Sequence, residues 1–128
     1  MASFCTTINC MDGRVQLPVI HYLKERFGAD YIDSITEPGP VRILAEQTKT
    51  LLIESIFARL TISVESHKSR AVAVVGHHDC AGNPAPKEEQ LEQIAQSIRF
   101  IKQRFNSIQV IGLWVDENWD VMEWRPSK

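Results

Sequence analysis

The chain has 128 residues, 44% of them hydrophobic and 23% charged, with a formal net charge of −2. That is enough for one domain with a self-supporting core, and a charge so near balance gives no electrostatic reason to expect nucleic acid or an anionic membrane as partner. No apolar run reaches the ~18 residues of a membrane span, the three cysteines are an odd count for a disulfide framework, and the opening lacks the basic-then-apolar order of a secretory signal, so a reducing cytoplasm is the expected setting.

Residues Phe4 to Met11 read as a strand that stops at the Asp12-Gly13 turn signal. Pro18 suits the first turn of a helix running to about Phe27, with Val19, Ile20, Leu23 and Phe27 at helical spacing and Gly28 as its stop. Tyr31 to Thr36 makes a short second strand, followed by the stiff segment Glu37-Pro38-Gly39-Pro40. One long helix is expected from Arg42 to Glu65, with Leu51, Leu52, Ile56, Leu60 and Val64 on its apolar face. Ala71 to Val75 is a continuous apolar run, the pattern of a strand buried on both faces, and it leads into Gly76-His77. After the loop Gly82 to Pro86, Lys87 to Phe105 is an amphipathic helix with Leu91, Ile94, Ile98 and Ile101 on one face. Gln109 to Val115 is a further strand, Asp116-Glu117-Asn118 a turn, and Trp119 to Trp124 a closing antiparallel strand.

The order βαβαβαββ implies an α/β fold over a single domain, 1–128. It consists of a mainly parallel β-sheet with right-handed crossovers, flanked by helices on both faces and closed by a C-terminal antiparallel edge strand. Ligands of such sheets gather beyond the carboxyl ends of the strands. Two motifs fall there: Cys10-Met11-Asp12-Gly13-Arg14 after the first strand and His77-His78-Asp79-Cys80 after the third. Cys10, His77 and Cys80 offer two thiolates and an imidazole, a donor set zinc favours. Three protein ligands leave a coordination position open, as catalytic rather than structural zinc sites do. Arg14 is placed to hold the Asp12 carboxylate by a charge-assisted contact.

The pair C-x-D-x-R and H-x-x-C, each following a strand, resembles the β-class carbonic anhydrases, and the resemblance covers nearly the whole chain in element order and spacing. It implies one zinc ion per chain on Cys10, His77 and Cys80, with Asp12 and Arg14 as a catalytic dyad. The implied reaction is reversible hydration of carbon dioxide to bicarbonate by a zinc-bound hydroxide that Asp12 orients. It also implies that Asp12, released by Arg14, could swing to become a fourth zinc ligand, and that the chain forms a homodimer or higher homo-oligomer. The sequence departs from the family pattern in two places. Thr36-Glu37-Pro38-Gly39 stands where the family usually reads Arg-Asn-Ala-Gly, and Ala81 where a glycine usually follows the second cysteine. A carboxylate at Glu37 would disfavour bicarbonate near the zinc. The altered loop keeps two alternatives open: hydrolysis of carbonyl sulfide or carbon disulfide, and a catalytically silent zinc-binding homologue.

Cys5 lies five residues from Cys10, so strand alternation turns it to the other face as a core thiol. His78 reads as solvated, and His21 and His67 as surface residues rather than ligands. Trp114, Trp119 and Trp124 read as packing or interface residues.

Overall fold

The computed structural model describes residues 2–126; the remaining three residues of the expected 1–128 domain lie outside the described residues. Five strands, β1 (Phe4–Cys10), β2 (Tyr31–Glu37), β3 (Ala71–His77), β4 (Gln109–Val115) and β5 (Val121–Trp124), form one sheet in the order β2-β1-β3-β4-β5. The first four are parallel, and β5 runs antiparallel to β4 at the edge. Among the described residues no helix is long and apolar enough to cross a membrane.

Helix α1 (Gly13–Phe27) covers one face of the sheet, burying Val15, Val19 and Leu23 against Ala73, Val75, Ile111 and Leu113. Helices α2 (Pro40–Glu46), α3 (Thr50–Thr61) and α4 (Lys87–Arg104) cover the other, around Ile8, Ile35, Val72 and Val74. The chain leaves β1 toward β2 over one face and crosses back to β3 over the opposite one. This reversal opens a crevice between the carboxyl ends of β1 and β3, the place where doubly wound sheets bind ligands.

Three sequence expectations need correction. Helix α1 starts five residues before Pro18, because the Asp12 side chain caps it by accepting from the Arg14 N–H. Pro18 therefore lies inside the helix, where its ring removes the N–H that would have bonded the Arg14 carbonyl. The expected helix 42–65 is two helices and a π-helical turn at Ile62–Ser66. Gln47 ends α2 in the left-handed conformation at φ 60°, donating its N–H to the Ile43 carbonyl. After this break the buried stripe is Ile53, Ile56, Phe57 and Leu60, while Leu51 and Leu52 face outward. The π turn tucks Ser63 inward, where it bonds both Thr6 and Asp33. Finally, β5 begins at Val121, not Trp119, because Trp119 adopts φ 63° in the hairpin turn.

Candidate metal centre

Strand β1 delivers Cys10 as its last residue, and β3 delivers His77 as its last, with Cys80 one tight turn later. All three are buried, and one ligating atom from each lies within 4.8 Å of the other two. The Cys10 and Cys80 sulfurs are 3.8 Å apart. Two thiolates bound at about 2.3 Å to a tetrahedral zinc ion would stand about 3.8 Å apart.

The imidazole is prepared in the same sense. His77 Nδ1 lies 2.7 Å from the His78 carbonyl, which fixes Nδ1 as the protonated nitrogen and leaves Nε2 with its lone pair. Among the described residues, His77 Nε2 is the one buried side-chain nitrogen or oxygen without a hydrogen-bond partner. A buried polar atom is seldom left so without cause. An orphaned imidazole nitrogen beside two thiols at zinc-ligand spacing fits a metal ion.

Electrostatics agree. The Cys80 thiol 3.8 Å away, then the nearby His77 imidazole, outweigh burial and bring the Cys10 thiol down to about 4; the contact between the two sulfurs pushes Cys80 up. The two sulfurs thus share one proton, which a cation would displace. Burial disfavours the His77 imidazolium, but the nearby Cys10 sulfur and the His78 carbonyl outweigh it and leave its pKa above the ordinary value. Backbone amides complete the cradle: those of Gly39 and Asp12 steady the Cys10 sulfur, those of Asn83 and Gly82 the Cys80 sulfur. Within Pro38-Gly39-Pro40 only Gly39 has an N–H to offer.

At the mouth Asp12 and Arg14 form a fork. Arg14 Nε donates to Asp12 Oδ1 at 3.0 Å and Nη2 to Oδ2 at 2.6 Å. The hydrogen bond from Arg14 holds the Asp12 carboxyl down at about 2 and raises the Arg14 guanidinium above its usual value. Sequence reasoning thus named three residues that the fold clusters and two, Asp12 and Arg14, that it pairs.

It missed their supports. Gln16 donates to the carbonyls of Cys10 and Asp12, both at 2.8 Å, and Asn9 donates to Gln16 and to the Cys10 carbonyl. Gln90, buried at the start of α4, bonds both the N–H and the carbonyl of His77. Asn83 is tied to Gln93 at 2.7 Å. Asp79 and Trp119 both touch Arg14, at 3.3 Å from its Nη1 and 4.4 Å from Cζ to ring centroid. Residue type alone did not flag these: the Asn9 and Gln16 contacts are local, while those of Gln90, Asp79 and Trp119 are made only by the closed fold.

Other residues fall as the sequence suggested. Cys5 is a buried thiol against Ala29 and Ala71, and His78 and His21 are exposed. His67 stacks on Phe4 and bonds Asp33 away from the centre. Trp114 is buried and Trp124 packs on the core. Trp119 does more than pack, since it covers Arg14. Glu37 is turned to the α3 face, where Arg59 neutralises it.

A family model described as "Putative carbonic anhydrase" matches residues 1–124. A search of curated proteins finds no match to the chain. Among solved structures, the chain resembles a β-carbonic anhydrase of Trichomonas vaginalis at 14% identity and TM-score 0.59, covering 92% of this chain and 80% of that one. A β-carbonic anhydrase of Aspergillus fumigatus gives 14% identity and TM-score 0.62 over 98% and 90% of the two chains. A tetrameric β-carbonic anhydrase of Sordaria macrospora gives 11% identity and TM-score 0.62 over 99% and 82%. At such identities the structural likeness establishes the fold.

Proposed function

The chain belongs to the putative carbonic anhydrase family, and on that premise we propose that it catalyses the reversible hydration of carbon dioxide to bicarbonate. Cys10, His77 and Cys80 would hold one zinc ion, with Asp12 and Arg14 as the catalytic pair. The observation that carries this reading is the convergence of two buried sulfurs 3.8 Å apart with an unpartnered imidazole nitrogen, beside a carboxylate held in an arginine fork. Zinc bound there would supply a water acidified toward a pKa of about 7, a nucleophile available near neutrality.

The chain's own residues do the rest. Asp12, held near pKa 2 by Arg14, stays ionised at neutral pH and can only accept hydrogen bonds. It therefore takes the O–H of the attacking water and turns a lone pair of its oxygen toward the carbon of the substrate. Arg14 fixes the two Asp12 oxygens, so this direction is set before substrate arrives. Its positive charge also lowers the cost of forming an anion at the mouth. The Glu37 carboxylate, paired with Arg59, presents less negative charge to that anion than the bare sequence implies.

Residues 1–128 are read as one domain that assembles as a homodimer or higher homo-oligomer in the cytoplasm. Met11 and Leu17, each 63% exposed beside the motif that bears the dyad, are suited to cover by a second subunit. Stopped-flow hydration by zinc-loaded protein between about pH 7 and pH 9 tests the activity. A rate no higher than buffer alone rejects it.

A further inference from the structure

Four non-glycine residues among those described have positive φ, and two of the four, Asp79 at 58° and Trp119 at 63°, touch the same guanidinium. Left-handed backbone is uncommon for any side chain and a marked outlier for a bulky one. Such conformations persist where surrounding structure enforces them, and they cluster at functional sites. For Trp119 the enforcement is visible. The Asp116 carboxylate accepts from the N–H groups of Asn118 and Asp120, and the Asp116 carbonyl accepts from the Trp119 N–H. This closed turn aims the indole across the sheet end, where Arg14 Cζ lies 4.4 Å from the ring centroid.

Asp79 approaches the same group in the plane. Arg14 Nη1 donates to its carboxylate at 3.3 Å and Nη2 to its carbonyl at 3.1 Å. Asp12 takes the Nε edge and shares Nη2. The guanidinium is thus gripped on one edge by Asp12, on the other by Asp79, and on a face by Trp119. The second and third contacts are made by residues other than Asp12.

We propose that Asp79 and Trp119 are positioning residues for Arg14, holding its guanidinium at the mouth whether or not Asp12 is bound to it. Arg14 then presents Asp12 with a partner whose place is set by other residues. The consequence for catalysis rests on the carbon dioxide hydration reading. The geometric claim does not.

NMR of zinc-loaded, 15N-labelled protein tests the geometry. The Arg14 side-chain N–H protons are expected to carry the ring-current shift of a group stacked on indole. In D12A that shift should survive; its collapse would show that Asp12 alone holds Arg14, and the proposal would fall. Because D12A also removes the cap of α1, D12N, which keeps a capping oxygen, repeats the comparison with the same two outcomes. In D79N and W119L, hydration should show kcat lowered about tenfold with KM within about twofold and zinc content equal, and W119F should restore most of kcat. Asn tolerates the left-handed backbone at 79, so D79N leaves the turn intact. Wild-type kcat in both variants overturns the positioning role. If the wild-type protein does not hydrate carbon dioxide, the functional reading fails, while the NMR comparison still decides where Arg14 is held.

Discussion

The Gln90 side-chain amide closes a two-bond ring with the backbone of His77, accepting from its N–H at 3.2 Å and donating to its carbonyl at 3.0 Å. The same amide reaches the Ala85 carbonyl at 3.1 Å, so one buried residue of α4 fixes both the strand end that bears His77 and the loop that leaves it. The Oε1 atom of Gln90 stands 3.0 Å from where a Cβ on Gly76 would be, so a glycine there lets the amide come this close.

Gln90→Ala should therefore weaken both the fold and the metal. It strands a buried N–H and several carbonyls, a loss of about 2 to 4 kcal/mol. It also frees the His77 backbone, and removing outer partners of metal ligands commonly costs about 10- to 100-fold in affinity. Thermal melts of zinc-free protein read the first effect, and zinc competition against a chromophoric chelator reads the second. Unchanged zinc affinity would mean that β3 alone positions the imidazole.

Gly39→Ala is expected to destabilise by about 2 to 4 kcal/mol, combining left-handed backbone with overpacking. The backbone sits at φ 60°, and a Cβ would lie 2.7 Å from Asn83 Cβ and 2.9 Å from the Gly82 carbonyl carbon and oxygen. The neighbours are mostly backbone and cannot turn aside. Relief would require the Pro38-Gly39-Pro40 loop to lift from Cys10, withdrawing the Gly39 amide from its sulfur. Chemical denaturation gives the stability change, and zinc affinity should fall with it.

Much of this was legible in the sequence, for identifiable reasons. Strand β4 runs from Gln109 to Val115 as its apolar run dictates, and the metal motifs stand at strand ends because parallel sheets expose those ends. Periodicity misled where it was locally ambiguous: Leu51 and Leu52 extend the apolar pattern of the 42–65 stretch, yet Leu51 is 81% exposed. The break that turns them outward is the left-handed Gln47, a residue with no intrinsic preference for that conformation. The supports of the centre were invisible for a related reason. Gln90 and Trp119 meet His77 and Arg14 only through tertiary contact, and their residue types carry no ligand chemistry of their own.

Asp12 should contribute a pH-dependent increment of stability to the zinc-free protein. Its folded pKa of about 2 lies below the ordinary carboxylate value of 3.8, principally because Arg14 hydrogen-bonds the ionised form. A depressed pKa stabilises the fold above the unfolded value and loses that contribution as pH falls through the folded one. The increment is therefore full above about pH 4 to 5 and fades toward pH 2. Arg14 is 45% exposed, so solvent screening reduces the contribution to about 1 kcal/mol. Asp12→Asn, which retains a capping oxygen, should melt lower than wild type at pH 6, with the gap narrowing below about pH 4 and closing only as pH falls to about 2 and below. A gap constant over that range would assign the loss to packing, not to charge.

Glu37, paired with Cys10 in the β1–β2 register, brings a carboxylate to the sheet edge of the centre. Arg59 of α3 caps it through Nη2 to Oε2, joining an outer helix to the strand end. On the carbon dioxide hydration reading, Arg59→Ala would leave the Glu37 charge unopposed at the strand end beside Cys10, where it would repel an anionic product. With the pair partly exposed, the repulsion amounts to about 0.5 to 1 kcal/mol. In the dehydration direction this should raise KM for bicarbonate about two- to fivefold, with KM for carbon dioxide nearly unchanged because that substrate is neutral. Arg59→Lys should recover most of the difference by restoring the charge. The double variant Arg59→Ala with Glu37→Gln should return KM to the wild-type range, since the uncompensated carboxylate is gone. If the double variant keeps the raised KM, the defect comes from displacement of α3 and not from charge.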